Sequence, residues 1–143
     1  MNSSLTPILM TLEVNKTRDF YQNVLGFEYQ MGINTEFKDV DNSDSTEELI
    51  WASMKSGGFS IMIQSRDSMI EDIPVFARQT IGASVSFYID SKDVKGLYDR
   101  IKDKVPVVLA PIDRFYGRRE FAISDPNGYI LTFAENIGET HAA

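Results

Sequence analysis

The feature that most constrains the fold of this chain is a pattern that occurs twice along its 143 residues. Each copy contains an apolar strand, an amphipathic helix and a closing pair of strands. The copies cover about residues 5–65 and 83–136, and a mixed segment at 66–82 that contains Pro74 separates them. A repeat of this length indicates two supersecondary units of the same kind. We therefore predict a single domain of two βαβββ modules with a linker at 66–82.

The first copy contains apolar or alternating segments bounded by turn residues. Its strands are predicted at 5–12, 27–31, 49–54 and 59–64. Between the first two strands, apolar residues fall on one face of a helix predicted over 16–25. Asn15 is suited to cap the start of this helix, and Gly26 is suited to end it in the left-handed conformation. The polar segment at 34–48 is predicted to be a hairpin or a loop.

The second copy repeats this order. Its strands are predicted at 83–89, 105–109, 120–124 and 129–134. Its helix follows Ser91, a residue type that often caps helices, and helical spacing of apolar residues then runs from Val94 to Ile101. An offset of 80 residues aligns Thr6 with Ser86. An offset of 70 aligns the closing strands, with Trp51 on Phe121, Ile61 on Leu131, Met62 on Thr132 and Ile63 on Phe133.

The side-chain period of two separates the faces of each predicted sheet. One face is strongly apolar and is expected to carry the helices: Val85, Phe87, Ile89, Ile61, Ile63, Leu131 and Phe133. The other face mixes small polar, thioether and aromatic groups: Thr6, Ile8, Met10, Ser60, Met62, Gln64, Ser84, Ser86, Tyr88, Ile130, Thr132 and Ala134. Such a mixture is typical of a partly wet cavity in which a few polar groups orient an apolar ligand. A face that meets solvent or a second copy of the chain would give the same pattern.

Two local motifs, together with the repeat, support a family resemblance over about residues 5–136. The first motif, from Phe20 to Phe27, has the sequence FYQNVLGF, and the second, from Asp125 to Tyr129, has the sequence DPNGY. The pattern resembles the vicinal-oxygen-chelate superfamily, which includes glyoxalase I, bleomycin-resistance proteins, fosfomycin-resistance transferases and extradiol dioxygenases. The resemblance implies an α+β fold in which tandem βαβββ modules form curved mixed sheets around a ligand cleft. It also implies a homodimer.

The same resemblance raises the question of a metal. Enzymes of the superfamily hold a divalent cation with His, Glu or Gln side chains from the inner faces of both modules. Carried over to this sequence, the four ligand positions fall on Thr6, Met62, Ser86 and Thr132. Hydroxyl and thioether groups are poor ligands for such a cation. We therefore predict no metal and no other cofactor, and the metal-free bleomycin-resistance proteins are the nearest functional relatives. Gln64 and Glu135 are neighbouring donors that would have to support any unusual metal site.

Charge and composition narrow the possible partners. Twenty-one acidic residues against fourteen basic ones give a net charge of −7, which opposes binding to nucleic acid or to an anionic membrane surface. The chain has no cysteine, and its one histidine, His141, lies in a tail that we expect to be mobile. A cysteine nucleophile or a Ser-His-Asp triad is therefore not expected. Because neither a membrane-spanning run nor a secretory signal is recognisable, we expect a cytoplasmic protein.

A candidate ligand site follows from these observations. The segment from Arg114 to Glu120 contains two aromatic residues and three arginines, and it can hold a planar or anionic ligand. The alternative is a structural loop whose arginines form ion pairs with the acidic residues that the chain has in excess. Trp51 can lie either in the cleft or in the core. The residues that we predict to bind the ligand are Thr6, Trp51, Ser60, Met62, Ser86, Tyr88, Arg114, Tyr116 and Thr132.

Three classes of function agree with the sequence. The first is a metal-independent small-molecule-binding protein that resembles the drug-sequestering bleomycin-resistance proteins. The second is an enzyme, either a glyoxalase-type lyase, isomerase or dioxygenase with a non-standard metal site, or a metal-free catalyst that uses Tyr88, Tyr116 or Arg114. The third is a protein whose cleft is closed and whose role is association alone. We predict the first class, with a small molecule in the cleft of a homodimer.

Overall fold

The computed structural model describes residues 3–82 and 84–138, and it contains an α+β fold with two mixed β-sheets. The chain divides into two compact units, Met1–Ile81 and Gly82–Ala143, and each unit contains one sheet. His141 lies outside the described residues. None of the helices in the described part of the chain is long and apolar enough to span a membrane.

The first unit contains a five-stranded sheet. Its strands are β1 (Ile8–Thr11), β2 (Glu28–Asn34), β3 (Asp39–Val40), β4 (Leu49–Ser56) and β5 (Phe59–Ser65). The order is β1-β5-β4-β2-β3, with β1 parallel to β5 and the other neighbours antiparallel. Its helices are α1 (Val14–Asp19), a π-helical turn (Phe20–Val24), α2 (Arg66–Asp72) and a 3-10 helix (Pro74–Arg78). Most of the segment between the two repeats is therefore helical.

Helix α1 begins earlier than the sequence pattern predicts, because Asn15 has another role. Glu13 occupies the N-cap position, and Asn15 lies within the first turn. The Asn15 side-chain amide donates to the Glu47 carbonyl oxygen at 2.8 Å, and its Oδ1 accepts from the Leu49 N–H at 2.9 Å. These bonds join the helix to the start of β4, so the predicted cap at Asn15 is wrong. Gly26 has φ +74° just after the π-helical turn, and its predicted left-handed conformation is confirmed.

The second unit contains one helix and a four-stranded sheet. Its elements are β6 (Ser86–Asp90), α3 (Val94–Ile101), β7 (Val107–Arg114), β8 (Arg118–Ser124) and β9 (Ile130–Asn136). The order β6-β9-β8-β7 matches the order β1-β5-β4-β2 of the first unit. Both units thus have the βαβββ arrangement, and the first adds the short β3. Strand β6 begins within the predicted range 83–89, whose first residue, Ala83, lies outside the described residues.

Helix α3 is capped by Asp93 and not by the predicted Ser91. The Asp93 Oδ1 accepts a hydrogen bond from the Gly96 N–H at 3.0 Å. The Ser91 N–H instead donates to the Ala134 carbonyl oxygen at 2.7 Å, which extends the parallel pairing of β6 with β9. Ser91 therefore belongs to the hydrogen bonding of the sheet.

The strand pairing corrects one part of the repeat alignment. Ala52 is paired with Ile63 of β5, and Phe121 is paired with Phe133 of β9. Because Ile63 and Phe133 are 70 positions apart and equivalent in the repeat, Ala52 and Phe121 are equivalent too. The counterpart of Trp51 is consequently Glu120, and the predicted equivalence of Trp51 with Phe121 is wrong. The reason is that two residues separate Ser56 from its partner Phe59, whereas three separate Asp125 from Tyr129, the equivalent of Phe59, whose carbonyl oxygen accepts from the Asp125 N–H at 2.9 Å. The register of β4 and β8 therefore differs by one position, which exchanges the two faces of a strand.

The core of each unit lies between its sheet and its helices. Four residues predicted for this face are buried: Ile61, Ile63, Leu131 and Phe133. In the second unit, Tyr98 of α3 packs edge-on against Phe121 of β8, with ring centroids 5.3 Å apart. Phe87 and Ile89 are half-buried. Val85 is 52% exposed because it precedes β6, and its predicted place in the core is wrong.

Candidate functional site

The face of the second sheet opposite α3 carries a cluster of polar side chains. Phe121 packs against α3, so its neighbour Glu120 points to the other face of β8. Side chains from three strands and from the turn between β7 and β8 meet around this carboxylate. We call the following residues the Glu120 cluster: Tyr88, Asp90, Arg114, Tyr116, Arg118 and Glu120.

Glu120 is the centre of this cluster and is only 4% exposed. Tyr88 Oη donates to Glu120 Oε2 at 2.5 Å, and Tyr116 Oη donates to the same oxygen at 2.8 Å. Arg114 Nε donates to the other oxygen, Oε1, at 3.3 Å. Hydrogen bonds to an ionised acceptor are stronger than neutral ones. One buried carboxylate therefore holds three side chains from different parts of the sheet.

Small residues in β9 allow these contacts to form across a strand. β9 lies between β6 and β8, where Tyr88 is paired with Thr132 and Glu120 is paired with Ala134. The short side chains of Thr132 and Ala134 leave room for Tyr88 to extend over β9 and reach Glu120. Ala134 is fully buried, consistent with coverage by larger neighbours.

Arg118 connects Tyr88 with Asp90. Its guanidinium carbon lies 5.6 Å from the Tyr88 ring centroid, and its Nε donates to Tyr88 Oη at 3.3 Å. Its Nη2 forms an ion pair with Asp90 and donates to the Ala134 carbonyl oxygen at 3.4 Å. Tyr88 is thus fixed by hydrogen bonds from two sides, yet 55% of the residue remains exposed.

The protonation states of the cluster follow from these contacts. Burial alone would raise the pKa of Glu120, but hydrogen bonds from Tyr88, Tyr116 and Arg114 outweigh burial and lower it. Burial and the bond to Glu120 raise the pKa of Tyr88, and the bond to Glu120 with burial raises the pKa of Tyr116. At neutral pH the cluster therefore contains an ionised carboxylate and two protonated tyrosines.

The first unit contains four of the predicted ligand-binding residues. Trp51, Ser60 and Met62 share the face opposite its buried core and are half-buried. On this face, Gln30 Oε1 accepts a hydrogen bond from Ser60 Oγ at 3.4 Å. Thr6 precedes β1 and is exposed, so its predicted place within a strand is wrong. The strand begins only at Ile8, where parallel pairing with β5 starts.

The second sheet carries the other five predicted residues. Tyr88, Arg114 and Tyr116 are brought together by Glu120. Ser86 and Thr132 lie on the same face of the sheet, because β6 is paired with β9 in parallel register. Ser86 is exposed and Thr132 is half-buried.

Three members of the cluster, Asp90, Arg118 and Glu120, are absent from the predicted set. A signal for Glu120 is present in the sequence, because the period of two places it on the face opposite Phe121. Arg118 belongs to the arginine-rich segment recognised in the sequence, but its face was not predicted, since β8 begins two residues before the predicted strand. Asp90 ends β6 one residue beyond the predicted strand and becomes recognisable only through its ion pair with Arg118.

The positions implied as metal ligands do not fit a divalent metal. Their donors are three hydroxyl groups and one thioether, on Thr6, Ser86, Thr132 and Met62. The Gln64 side chain is engaged by α2, with its Nε2 donating to Ser68 Oγ and Asp72 Oδ2 at 2.8 Å each. Glu135 lies 4.0 Å from Nη1 of Arg119. Within residues 3–82 and 84–138, no group of three or more His, Cys, Asp or Glu side chains is arranged to hold a metal ion.

The sequence matches the family model of the Glyoxalase/Bleomycin resistance protein/Dioxygenase superfamily over residues 6–133. This match covers most of the chain, and the fold has the tandem βαβββ arrangement expected from the resemblance. The protein belongs to this superfamily, and the predicted family and α+β fold are confirmed.

Several solved structures share the fold. A glyoxalase/bleomycin resistance protein/dioxygenase from Nocardioides has a TM-score of 0.73 and 15% identity, over 100% of this chain and 89% of that one. A protein of unknown function from Agrobacterium tumefaciens has a TM-score of 0.70 and 19% identity, over 95% of both chains. A superfamily member from Sphaerobacter thermophilus has a TM-score of 0.68 and 18% identity, over 95% of this chain and 100% of that one. At these identities the similarity concerns the fold alone. No curated protein matches the sequence.

Proposed function

We propose that the protein binds a small molecule without a metal, on the face of the second sheet that carries the Glu120 cluster. Its role would resemble the drug sequestration of bleomycin-resistance proteins. The observation that carries this proposal is the arrangement around Glu120, which fixes Tyr88, Tyr116 and Arg114 while each keeps exposed surface. Preformed polar groups beside aromatic surface are typical of small-molecule sites.

The protonation states favour binding over metal-free catalysis. A general base needs a free lone pair and a pKa near the working pH. Both oxygens of Glu120 accept hydrogen bonds, and its pKa is lowered. Tyr88 and Tyr116 have pKa values raised above the ordinary 10.0, so neither supplies a phenolate at neutral pH. The alternative of a catalyst that uses Tyr88 or Tyr116 as its base is therefore less well supported.

The donor set also favours a metal-independent protein over a metalloenzyme. We predict that protein purified without a tag contains no stoichiometric Zn, Ni, Fe or Mn, because hydroxyl and thioether groups occupy the implied ligand positions. Elemental analysis is the measurement. About one metal ion per chain, removed by a chelator with a loss of thermal stability, would contradict this prediction.

We further propose a homodimer and a cytoplasmic location. Strands β1 and β3 are the edges of the first sheet, and β6 and β7 are the edges of the second. Sheet edges pair with other chains unless they are covered. Sedimentation at micromolar concentration is expected to show a species of twice the 16.2 kDa chain mass. A monomer alone at that concentration would count against the dimer.

The binding proposal is tested by a screen of small aromatic and polar compounds with ligand-observed NMR. Tyr88→Ala removes an exposed ring from the cluster, and Arg119→Gln is the matched control. Arg119 lies in β8 beside Glu120, but its Nε donates to Asp113 at 2.7 Å on the opposite face of the sheet. We expect compounds that bind the wild type to lose binding in Tyr88→Ala and to keep it in Arg119→Gln. Hits that bind all three proteins equally would show that this face is not the site.

A further inference from the structure

We propose that the ligand of this face carries a carboxylate that binds the terminal NH₂ groups of Arg114, attached to an aromatic body that packs beside Tyr88 and Phe115. This inference rests on the proposed function, because it names the chemical class of ligand for the same site. A comparison of the three arginines of the β7–β8 hairpin carries the argument.

Two of these arginines have guanidinium groups that are already engaged. Arg119 Nε and Nη2 donate to the two carboxylate oxygens of Asp113 at 2.7 and 3.2 Å. This is the bidentate geometry in which a guanidinium best binds a carboxylate. Arg118 donates to Tyr88 Oη through Nε and forms an ion pair with Asp90 through Nη2. A ligand would have to displace an existing partner from either side chain.

Arg114 differs from both. Its Nε donates to Glu120 at 3.3 Å, and neither of its terminal nitrogens donates a hydrogen bond to any residue that the structure describes. Its side chain is 36% exposed. The bond to the buried carboxylate restricts the orientation of the planar guanidinium, which still presents two parallel N–H groups at its outer end. Arg114 is thus the hairpin arginine prepared to accept a carboxylate.

The formal charges of the Glu120 cluster balance, with Arg114 and Arg118 against Glu120 and Asp90, so the case for an anionic ligand rests on the free donors of Arg114. Glu120 is ionised, but it also accepts hydrogen bonds from Tyr88 and Tyr116 and so is shared among three donors. The neighbouring Arg118 is paired with Asp90. A second carboxylate at the outer end of the Arg114 guanidinium would share its positive charge with Glu120. Carboxylates on two edges of one guanidinium are compatible with its five N–H donors.

Exposed apolar surface beside Arg114 indicates the rest of the ligand. Phe115 is 69% exposed and packs edge-on against Tyr116, with ring centroids 5.1 Å apart. Ile112 is paired with Glu120, lies on the same face and is 40% exposed. Phe115 and Ile112 therefore expose apolar surface near Arg114, and the Tyr88 ring is exposed across the same sheet. Exposed apolar side chains rimmed by polar groups mark binding sites. An aromatic acid satisfies both the guanidinium and this surface.

The test uses naphthoate and its neutral analogue naphthamide, titrated into the full chain by isothermal calorimetry. We expect naphthoate to bind about tenfold more tightly, because charge-assisted hydrogen bonds are about twice as strong as neutral ones. Arg114→Gln is expected to reduce the affinity for naphthoate to that for naphthamide. Arg114→Lys keeps the charge without the fork and should retain only part of the preference. The control Arg119→Gln is expected to keep the full preference.

The outcomes separate this inference from the proposed function. Equal affinity for the two probes in the wild type would overturn the carboxylate inference while leaving small-molecule binding intact. Equal losses in Arg114→Gln and Arg119→Gln would also overturn it, since the effect would then reflect net charge. Failure of both probes to bind at about 10 mM would overturn the aromatic-acid assignment. The proposed function would then depend on the compound screen. Thermal unfolding followed by circular dichroism checks that each variant is folded.

Discussion

Replacement of Glu120 by Gln removes the charge at the centre of the cluster and keeps the size of the side chain. The carboxylate accepts hydrogen bonds from Tyr88, Tyr116 and Arg114 at 2.5, 2.8 and 3.3 Å. A hydrogen bond to a charged group contributes about 1.5–3 kcal/mol. The glutamine oxygen still accepts one or two of these bonds, and the exposed part of Tyr88 and Arg114 allows water to replace the rest. We therefore expect the free energy of unfolding at neutral pH to fall by about 1–3 kcal/mol.

The size of this loss should depend on pH in a direction set by the pKa of Glu120. This pKa is lower in the folded chain than its ordinary value of 4.5. The unfolded chain therefore takes up the proton first as the pH falls. The stability that the carboxylate contributes is fully present above pH 4.5 and is lost as the pH falls through the lower folded value. The difference between wild type and Glu120→Gln is thus largest near neutral pH and shrinks in acid.

Urea unfolding followed by circular dichroism, at neutral pH and in acid below pH 4.5, measures this difference. Glu135→Gln is the matched control, because the carboxylate of Glu135 lies 4.0 Å from Arg119 on the other face of the sheet. We expect the control to change the free energy of unfolding by less than about 0.5 kcal/mol. A Glu120→Gln loss no larger than the control, or a loss that is unchanged in acid, would refute the network described here.

Two further substitutions test the elements that position the site. Asp93→Ala should lower the free energy of unfolding by about 1 kcal/mol through loss of the α3 cap, whereas Ser91→Ala should change it by less than about 0.5 kcal/mol. Equal losses in thermal unfolding would contradict the assignment of the cap. Ala134→Leu should lower stability by about 1–3 kcal/mol, because the larger side chain would occupy the space over which Tyr88 reaches Glu120. An unchanged Tyr88 ring signal in the NMR spectrum of that variant would contradict this explanation.

The repeated βαβββ arrangement was predictable because it depends on local patterns. Strand alternation, turn residues and helical spacing are all read within short segments. The helix caps were not predictable in the same way. Asn15 and Ser91 are suitable cap residues, but Asn15 bonds to a segment more than thirty positions away and Ser91 completes a sheet ladder. Residue type alone does not decide between a local cap and a distant partner.

Several residues of the candidate site were predicted from the sequence, but the residue at its centre was not. Tyr88, Arg114 and Tyr116 carry recognisable chemistry, whereas the residue that unites them, Glu120, was not among the predicted site residues. The repeat alignment gave Phe121, and not Glu120, as the counterpart of Trp51. The turns after β4 and β8 differ in length, so the registers of the two hairpins differ by one residue. A shift of one residue exchanges the faces of a strand. Alternation within β8 places Glu120 on the face opposite Phe121, but its equivalence to Trp51 is visible only in the strand pairing.

The central claim, that this face binds a small molecule without a metal, is tested most directly by amide NMR spectra of chelator-treated protein during addition of a compound library. We predict that at least one compound shifts the amide signals of β6, β8 and β9 around Tyr88, Glu120 and Thr132 in the absence of metal. The same compound should leave these signals unshifted in Tyr88→Ala. A library in which no compound shifts these signals, or shifts that appear only after a divalent metal is added, would contradict the claim.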